Sequence, residues 1–185
     1  MEMPWDELNV IRSKAEKLEI EETAENGKKK YNAERITDIV YEYLEYAWTM
    51  GVDNVNEELS TSYAPQDAEM RREINRKVAG KDYKERIDEW SEKGDLDAIM
   101  RVAETDAHRL INDSAFRTAI KAGAKYKTWY TMEDERVRAT HRPLDMMTIP
   151  INDYFVTFDG DRALAPGMFT RPENNVNCRC YLEFK

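Results

Sequence analysis

At Gly123 the apolar pattern of the chain changes its repeat, from about 3.6 residues to about 2. Upstream, Leu96, Ile99, Met100, Ala103, Ala107, Leu110, Ile111 and Ser114 recur at helical spacing, and Ala122-Gly123-Ala124 closes the run. Downstream, Lys125, Lys127 and Trp129 alternate with Tyr126, Thr128 and Tyr130 as in a strand. Helical and strand repeats segregated along one chain predict an α+β fold: a mainly helical N-terminal half with a long helix leading into a small C-terminal β-sheet domain.

Before that long helix, which Asp95 can cap, three others are expected. Asn32 can accept an orphan amide of a first turn. Ile36, Ile39, Val40, Tyr43, Leu44, Ala47 and Trp48 follow on one face, with Gly51 as the stop. Residues 53–64 read as a polar linker ending at Pro65. A helix from about Gln66 carries Met70, Ile74 and Val78 towards Gly80, and a shorter one carries Tyr83, Ile87 and Trp90 to Gly94. Near the start, Leu8, Ile11, Ala15 and Leu18 share a helical face. Glu16, Glu19, Glu21, Glu22 and Glu25 followed by Lys28-Lys29-Lys30 read as a solvated helix end and loop, or as an arm that orders on a partner. The organisation expected is an acidic helical arm (1–65), a helical layer (66–124) and an α+β block (125–185).

Within the block, residues 133–140 are expected as a short helix with Thr131 as its cap and Pro143 as its breaker. Residues 148–158 read as an interrupted strand, Asp159-Gly160-Asp161 as a turn, and 164–177 as an irregular loop. Residues 178–184 read as a strand with Cys178, Cys180, Leu182 and Phe184 on one face and Arg179, Tyr181 and Glu183 on the other.

Charge limits the function classes. The net charge is -9. Up to Ser60 there are 15 acidic and 7 basic residues, so the remainder is nearly neutral. An acidic arm on a neutral body is not a DNA-binding polycation, although a local basic patch is compatible with it. No apolar run approaches the roughly 20 residues of a membrane span. The first residues lack a basic head before an apolar stretch, so no secretory signal is expected. Cys178 and Cys180 are too close to bridge without strain, which suggests a reducing compartment.

The chemistry-bearing residues concentrate in the block. Cys178 and Cys180 project the same way, and His141 can add an imidazole. Two sulfurs and a nitrogen suit Zn²⁺, with His108, Asp134 or Asp145 as a fourth ligand. The alternative is two reduced cysteines buried with Leu182 and Phe184. Arg136 and Arg138 do not share a helix face; one can pair with Asp134 or Asp145 while the other faces out, and phosphate contact is the alternative. Arg179 is expected on the outward face, in solvent or on an acidic partner. Glu104 and His108, four apart, can form a hydrogen-bonded clamp or an acid–base pair. Lys127 and Trp129 can stack on bases and touch phosphate, or pack a strand on the long helix.

These words, in this order, resemble the phage Mu F-like family of minor head (SPP1-type head morphogenesis) proteins. The resemblance rests on Lys127-Thr128-Trp129, on Asp134 with Arg136, Arg138 and His141, and on the closing Asn177-Cys178-Arg179-Cys180. Tyr83-Lys84-Glu85-Arg86-Ile87 and residues 101–109 are similar to the segments that lead into the block. One departure stands out: the family usually has Leu-Asp-Gly after the histidine, and here Leu144-Asp145 is followed by Met146. The resemblance implies a structural role in the capsid interior. It implies association with the portal protein and with coat or scaffold protein, and support for procapsid assembly, DNA packaging or delivery. An enzyme of nuclease or transferase type using Asp134, Arg136 and His141 is the alternative. A lumenal DNA-binding module is a third reading. No phosphate loop or nucleophile elbow favours the enzyme.

Overall fold

The computed structural model describes residues 5–23 and 27–185. Expectations that touch residues 1–4 and 24–26 lie outside the described residues. Helix α1 (Trp5–Glu16) buries Ile11 and Ala15. Within the stretch expected as a helix end and loop, two antiparallel strands pair instead, β1 (Glu19–Thr23) with β2 (Lys29–Tyr31). An ion pair between Lys29 and Glu19 ties the two strands. The second strand lies against the end of a later helix so closely that a Cβ on Gly94 would sit 2.4 Å from the Lys29 carbonyl oxygen.

Helix α2 (Ala33–Leu59) starts where expected, with Asn32 Oδ1 accepting the Arg35 amide at 3.0 Å. It does not stop at Gly51. A Cβ there would lie 2.1 Å from Ser114 Oγ and 2.3 Å from the Ile111 carbonyl oxygen. Gly51 is therefore a point of close approach to another helix, and two further helical turns, burying Val52 and Val55, carry α2 into the expected linker as far as Leu59, which leaves 61–66 as the irregular connection. The true end is Ser60, at φ 52, with Asn56 bracing the exit through both backbone groups of Tyr63 at 2.8 Å.

Helix α3 (Asp67–Ile74) is shorter than expected; Val78 falls beyond it, bridged to Lys81. Helix α4 (Tyr83–Glu92) opens with a reciprocal Asp82–Glu85 cap. Helix α5 (Leu96–Lys121) is capped by Asp95 onto the Ala98 amide at 3.0 Å. It is buried on nearly every side, because α1, α2, α3 and α4 pack around it. The apolar stripe of α2, with Tyr43 and Trp48 fully inside, meets Leu96, Ile99, Leu110 and Ile111 in the larger core.

Beyond α5, β3 (Tyr126–Tyr130) is the middle strand of a three-stranded antiparallel sheet, between β4 (Thr148–Pro150) and the C-terminal strand β7 (Tyr181–Phe184). A separate hairpin pairs β5 (Phe155–Val156) with β6 (Arg162–Ala163) around Gly160. The second core joins Trp129, Phe155, Phe169, Leu182 and Phe184 to Val55, Ala115, Phe116 and Ala119. The architecture is α+β, as expected.

Two expectations about the block fail locally. Residues 133–140 are turns rather than a helix, followed by a short 3-10 turn, Arg142–Leu144, that contains Pro143. The cause is Asp145, whose Oδ1 accepts both the amide (2.7 Å) and the hydroxyl (2.9 Å) of Thr131 and closes the segment into a loop. The last strand begins at Tyr181, so both cysteines lie in the extended lead-in, although their alternation with Leu182 and Phe184 on the buried face is as expected.

Candidate metal centre

The lead-in to β7, the turn before Arg142 and the middle of β3 converge on one point. His141 Nδ1 lies 3.6 Å from Cys178 Sγ and 3.5 Å from Cys180 Sγ. The three ligand atoms are all within 4.8 Å of one another and all three residues are buried. The imidazole is held edge-on to Trp129, with centroids 5.6 Å apart, and stacks on Phe169 at 5.2 Å. Phe169 comes from the long loop, which Asp161 organises. Its Oδ1 accepts from the Arg162 amide (2.9 Å), the Thr170 amide (3.2 Å) and the Thr170 hydroxyl (2.7 Å). Its Oδ2 accepts from the Arg171 amide (3.1 Å) and Asn174 Nδ2 (2.9 Å). Five donors around one carboxylate outweigh its burial and bring its pKa down to about 2.

On the other side, α5 fixes the terminal segment. His108 Nε2 hydrogen-bonds the Cys180 carbonyl at 2.8 Å, and Asn112 Nδ2 donates to the same oxygen at 3.4 Å. His108 is thus a clamp, but its partner is the backbone beside the cysteine; Glu104 is half-buried and lies near Tyr43, whose phenol is pushed up by burial and by that carboxylate.

The electrostatics of the pair of thiols are asymmetric. Burial alone would push Cys178 up. The hydrogen bond with Cys180 and the influence of His108 and His141 outweigh it, so Cys178 ionises well below an ordinary thiol. Cys180 is pushed far up, first by that same hydrogen bond and then by burial. The Trp129 indole N–H makes no conventional hydrogen bond, and it lies where it favours a thiolate at Cys180.

A single imidazole lone pair can accept a hydrogen from one thiol, yet two sulfurs stand at equal range from the same nitrogen. A tetrahedral zinc with Zn–S of about 2.3 Å and Zn–N of about 2.0 Å requires S···N edges of about 3.5 Å. The observed 3.5 and 3.6 Å fit that requirement, so this trio can hold a metal ion. The other expected ligands are committed elsewhere. Asp134 takes a two-pronged ion pair from Arg179 Nη2 at 2.6 and 2.7 Å, and Asp145 holds Thr131.

The arginines rearrange the expected pairings. Arg179 points at Asp134 rather than at solvent, and this guanidinium holds the Asp134 carboxyl below the usual range. Arg138 donates to the Val176 carbonyl. Arg136 is the exposed one and reaches Asp134 only at 3.9 Å. Asn177, at φ 57, makes the turn that delivers Cys178.

Lys127 does not face solvent. It is fully buried beside Trp129, with its ammonium donating to the Leu164 carbonyl at 2.8 Å and lying 4.5 Å from the Phe116 ring centroid. Burial brings its pKa down to about 8. The grouping of Asp134 with His141 also does not form a shared acid–base site. Asp134 lines a recess with Thr131, Glu133 and Asp145, whereas His141 lines a different one with the cysteines. Sequence reasoning missed Asp161 and Phe169, since a turn aspartate and a loop phenylalanine carry no local sign of the imidazole they support.

The family model described as Phage Mu protein F like protein matches residues 68–183. The chain is 34% identical over 83 residues to minor head protein GP7 of Bacillus phage SPP1, a match spanning 43% of this chain and 27% of that protein. It is 32% identical over 85 residues to NAD(+)--arginine ADP-ribosyltransferase EFV of Enterococcus faecalis, spanning 44% of this chain and 17% of that protein. Each match thus covers well under half of the relative's length. No solved structure matches the chain significantly.

Proposed function

The chain belongs to the phage Mu protein F-like family, and from that premise we propose that it is a minor head protein of the capsid interior. In this reading it associates with the portal, and with coat or scaffold protein, and supports procapsid assembly, DNA packaging or delivery. The observation that carries the proposal is the family match over residues 68–183. The likeness to the SPP1 minor head protein agrees with it. The structural reading of the site agrees as well: Lys127, Trp129, His141 and both cysteines are packed inside, as in a scaffold, and Asp134 is tied to Arg179. A surface for partners is available on the β5 hairpin, where Tyr154, Val156 and Phe158 alternate outward. No helix among the described residues is long and apolar enough to cross a membrane.

The metal in this proposal is zinc, held by His141, Cys178 and Cys180. It would pin the terminal strand to the turn before Arg142 and so fix the sheet on α5. Elemental analysis of the reduced protein tests it: about one zinc per chain is expected, and none would remove the assignment. The assembly role is tested by co-expressing the tagged chain with the portal protein of the same phage. Retention of portal rings is expected. A chain that elutes alone, while the tagged portal retains its other partners, would overturn the portal association.

The second reading, an enzyme, draws on the ADP-ribosyltransferase relative alone. That match spans 17% of the relative, so it concerns a shared piece.

A further inference from the structure

The trio supplies three ligands, and a tetrahedral ion needs four. Among the described residues, no fourth histidine, cysteine or carboxylate joins the cluster. Each expected candidate has another task. Asp134 faces Arg179, Asp145 faces Thr131, and His108, whose Nε2 faces the Cys180 carbonyl, lies outside the cluster. The three residues nevertheless line a narrow recess, with about 10 Å³ of free space, that continues to solvent. Its free space has room for about one water-sized ligand.

The wall of that recess is unusual in charge. Arg136, Arg138 and Arg179 all line it, and no carboxylate does. Asp134 takes Arg179 and, more loosely, Arg136, while Arg138 donates to the Val176 carbonyl, so one paired carboxylate stands against three guanidinium groups. A divalent zinc with two thiolates and a neutral imidazole is itself neutral, so the rim keeps an excess of positive charge facing the open position. Water can fill such a position, but an anion gains the field of the rim as well.

Building on the zinc reading above, we propose that His141, Cys178 and Cys180 form a three-ligand centre whose fourth position is filled from outside. The ligand is a monodentate anion, entering between Arg136, Arg138 and Arg179. The chemical class is a carboxylate: it can lay one oxygen on the metal and turn the other to a guanidinium of the rim, the planar pairing that arginine matches. In an assembling particle the donor is an acidic side chain of a neighbouring subunit, so the centre acts as a socket. Free acetate should occupy the same position in isolation.

The test uses the full chain with Co²⁺ in place of zinc, because cobalt reports its ligands by visible absorption. One Co²⁺ per chain is expected, with thiolate charge-transfer absorption and the intense visible bands of a tetrahedral ion. Titration with acetate, and separately with azide, should shift those visible bands saturably while the charge-transfer absorption from both thiolates persists. Arg136→Ala should weaken acetate binding by about threefold to tenfold, with metal content unchanged. Failure to take up zinc or cobalt would remove the zinc reading and this inference with it. Cobalt bound tetrahedrally with a spectrum that neither anion moves would overturn the open position alone and leave the zinc reading intact. A shift by azide but not by acetate would overturn the carboxylate assignment.

Discussion

Replacing Asp161 by alanine should be the most damaging single change outside the two cores. The carboxylate is 3% exposed and receives five hydrogen bonds, three of them from backbone amides of residues 162, 170 and 171. A charge-assisted bond contributes about 1.5–3 kcal/mol singly, but five bonds on one group are coupled, and freed amides near the surface recover part by hydration. We expect Asp161→Ala to cost about 3–5 kcal/mol. Asp161→Asn keeps the shape but turns an NH₂ towards donors on one side, and should cost about 2 kcal/mol. Urea unfolding measures both, as a lower midpoint with an unchanged slope. The pH dependence carries a sign. The folded pKa of about 2 lies below the ordinary value of about 3.9. The stabilisation is therefore present above about pH 4 and is lost as the pH falls through about 2. After allowance for solvent screening it amounts to at most about 2 kcal/mol, and the asparagine variant should lack that acid loss. An alanine variant within about 1 kcal/mol of the parent would refute the view that this carboxylate organises the loop behind His141.

Lys127→Met should flatten a different pH dependence. The buried ammonium has its pKa down to about 8 against an ordinary value of about 10.4, so the parent gains stability as pH rises between those values. The methionine variant should lose this gain in parallel urea titrations, and retention of it would point to another group. Gly51→Ala should push α2 off α5, because its Cβ would land 2.1 Å from Ser114 Oγ; a cost of about 2 kcal/mol or more is expected in urea. A neutral alanine would contradict the close crossing. Met146 has a φ of 57, in the left-handed region that favours glycine. Met146→Gly should relieve about 1 kcal/mol of left-handed strain, lose about half of that to chain entropy, and raise Tm by about 1–2 °C. A lower Tm would contradict that balance.

What the sequence revealed follows from how local each cause is. The caps at Asn32 and Asp95 and the stripes of α2 and α5 depend on neighbours a few residues away, and the periodic pattern exposes them. Gly51 is the instructive failure. Glycine serves equally to end a helix and to let another helix approach, and only the position of Ser114 tells these apart. Lys127 shows the same limit: alternation puts it on the face of Trp129, but its charge suggested solvent, and the Leu164 carbonyl that satisfies it is 37 residues away. The cysteines were legible because Cys178 and Cys180 share the parity of Leu182 and Phe184. Ligand chemistry groups the imidazole with them, since two sulfurs and a nitrogen suit one ion, but the supports of His141 come from a loop without any repeat to read. The Asp134–Arg179 pair joins residues 45 apart in sequence, so the alternation of residues near Asp134 points only to its looser partner, Arg136, at 3.9 Å.

A capsid-interior role is tested most directly by whether, and where, the chain is found in procapsids. Quantitative mass spectrometry of purified procapsids, with and without protease treatment of intact shells, measures this. We expect the chain at minor-component abundance, protected in closed shells and digested once they are opened. Absence from procapsids, or digestion in intact shells, would contradict its assignment to the capsid interior.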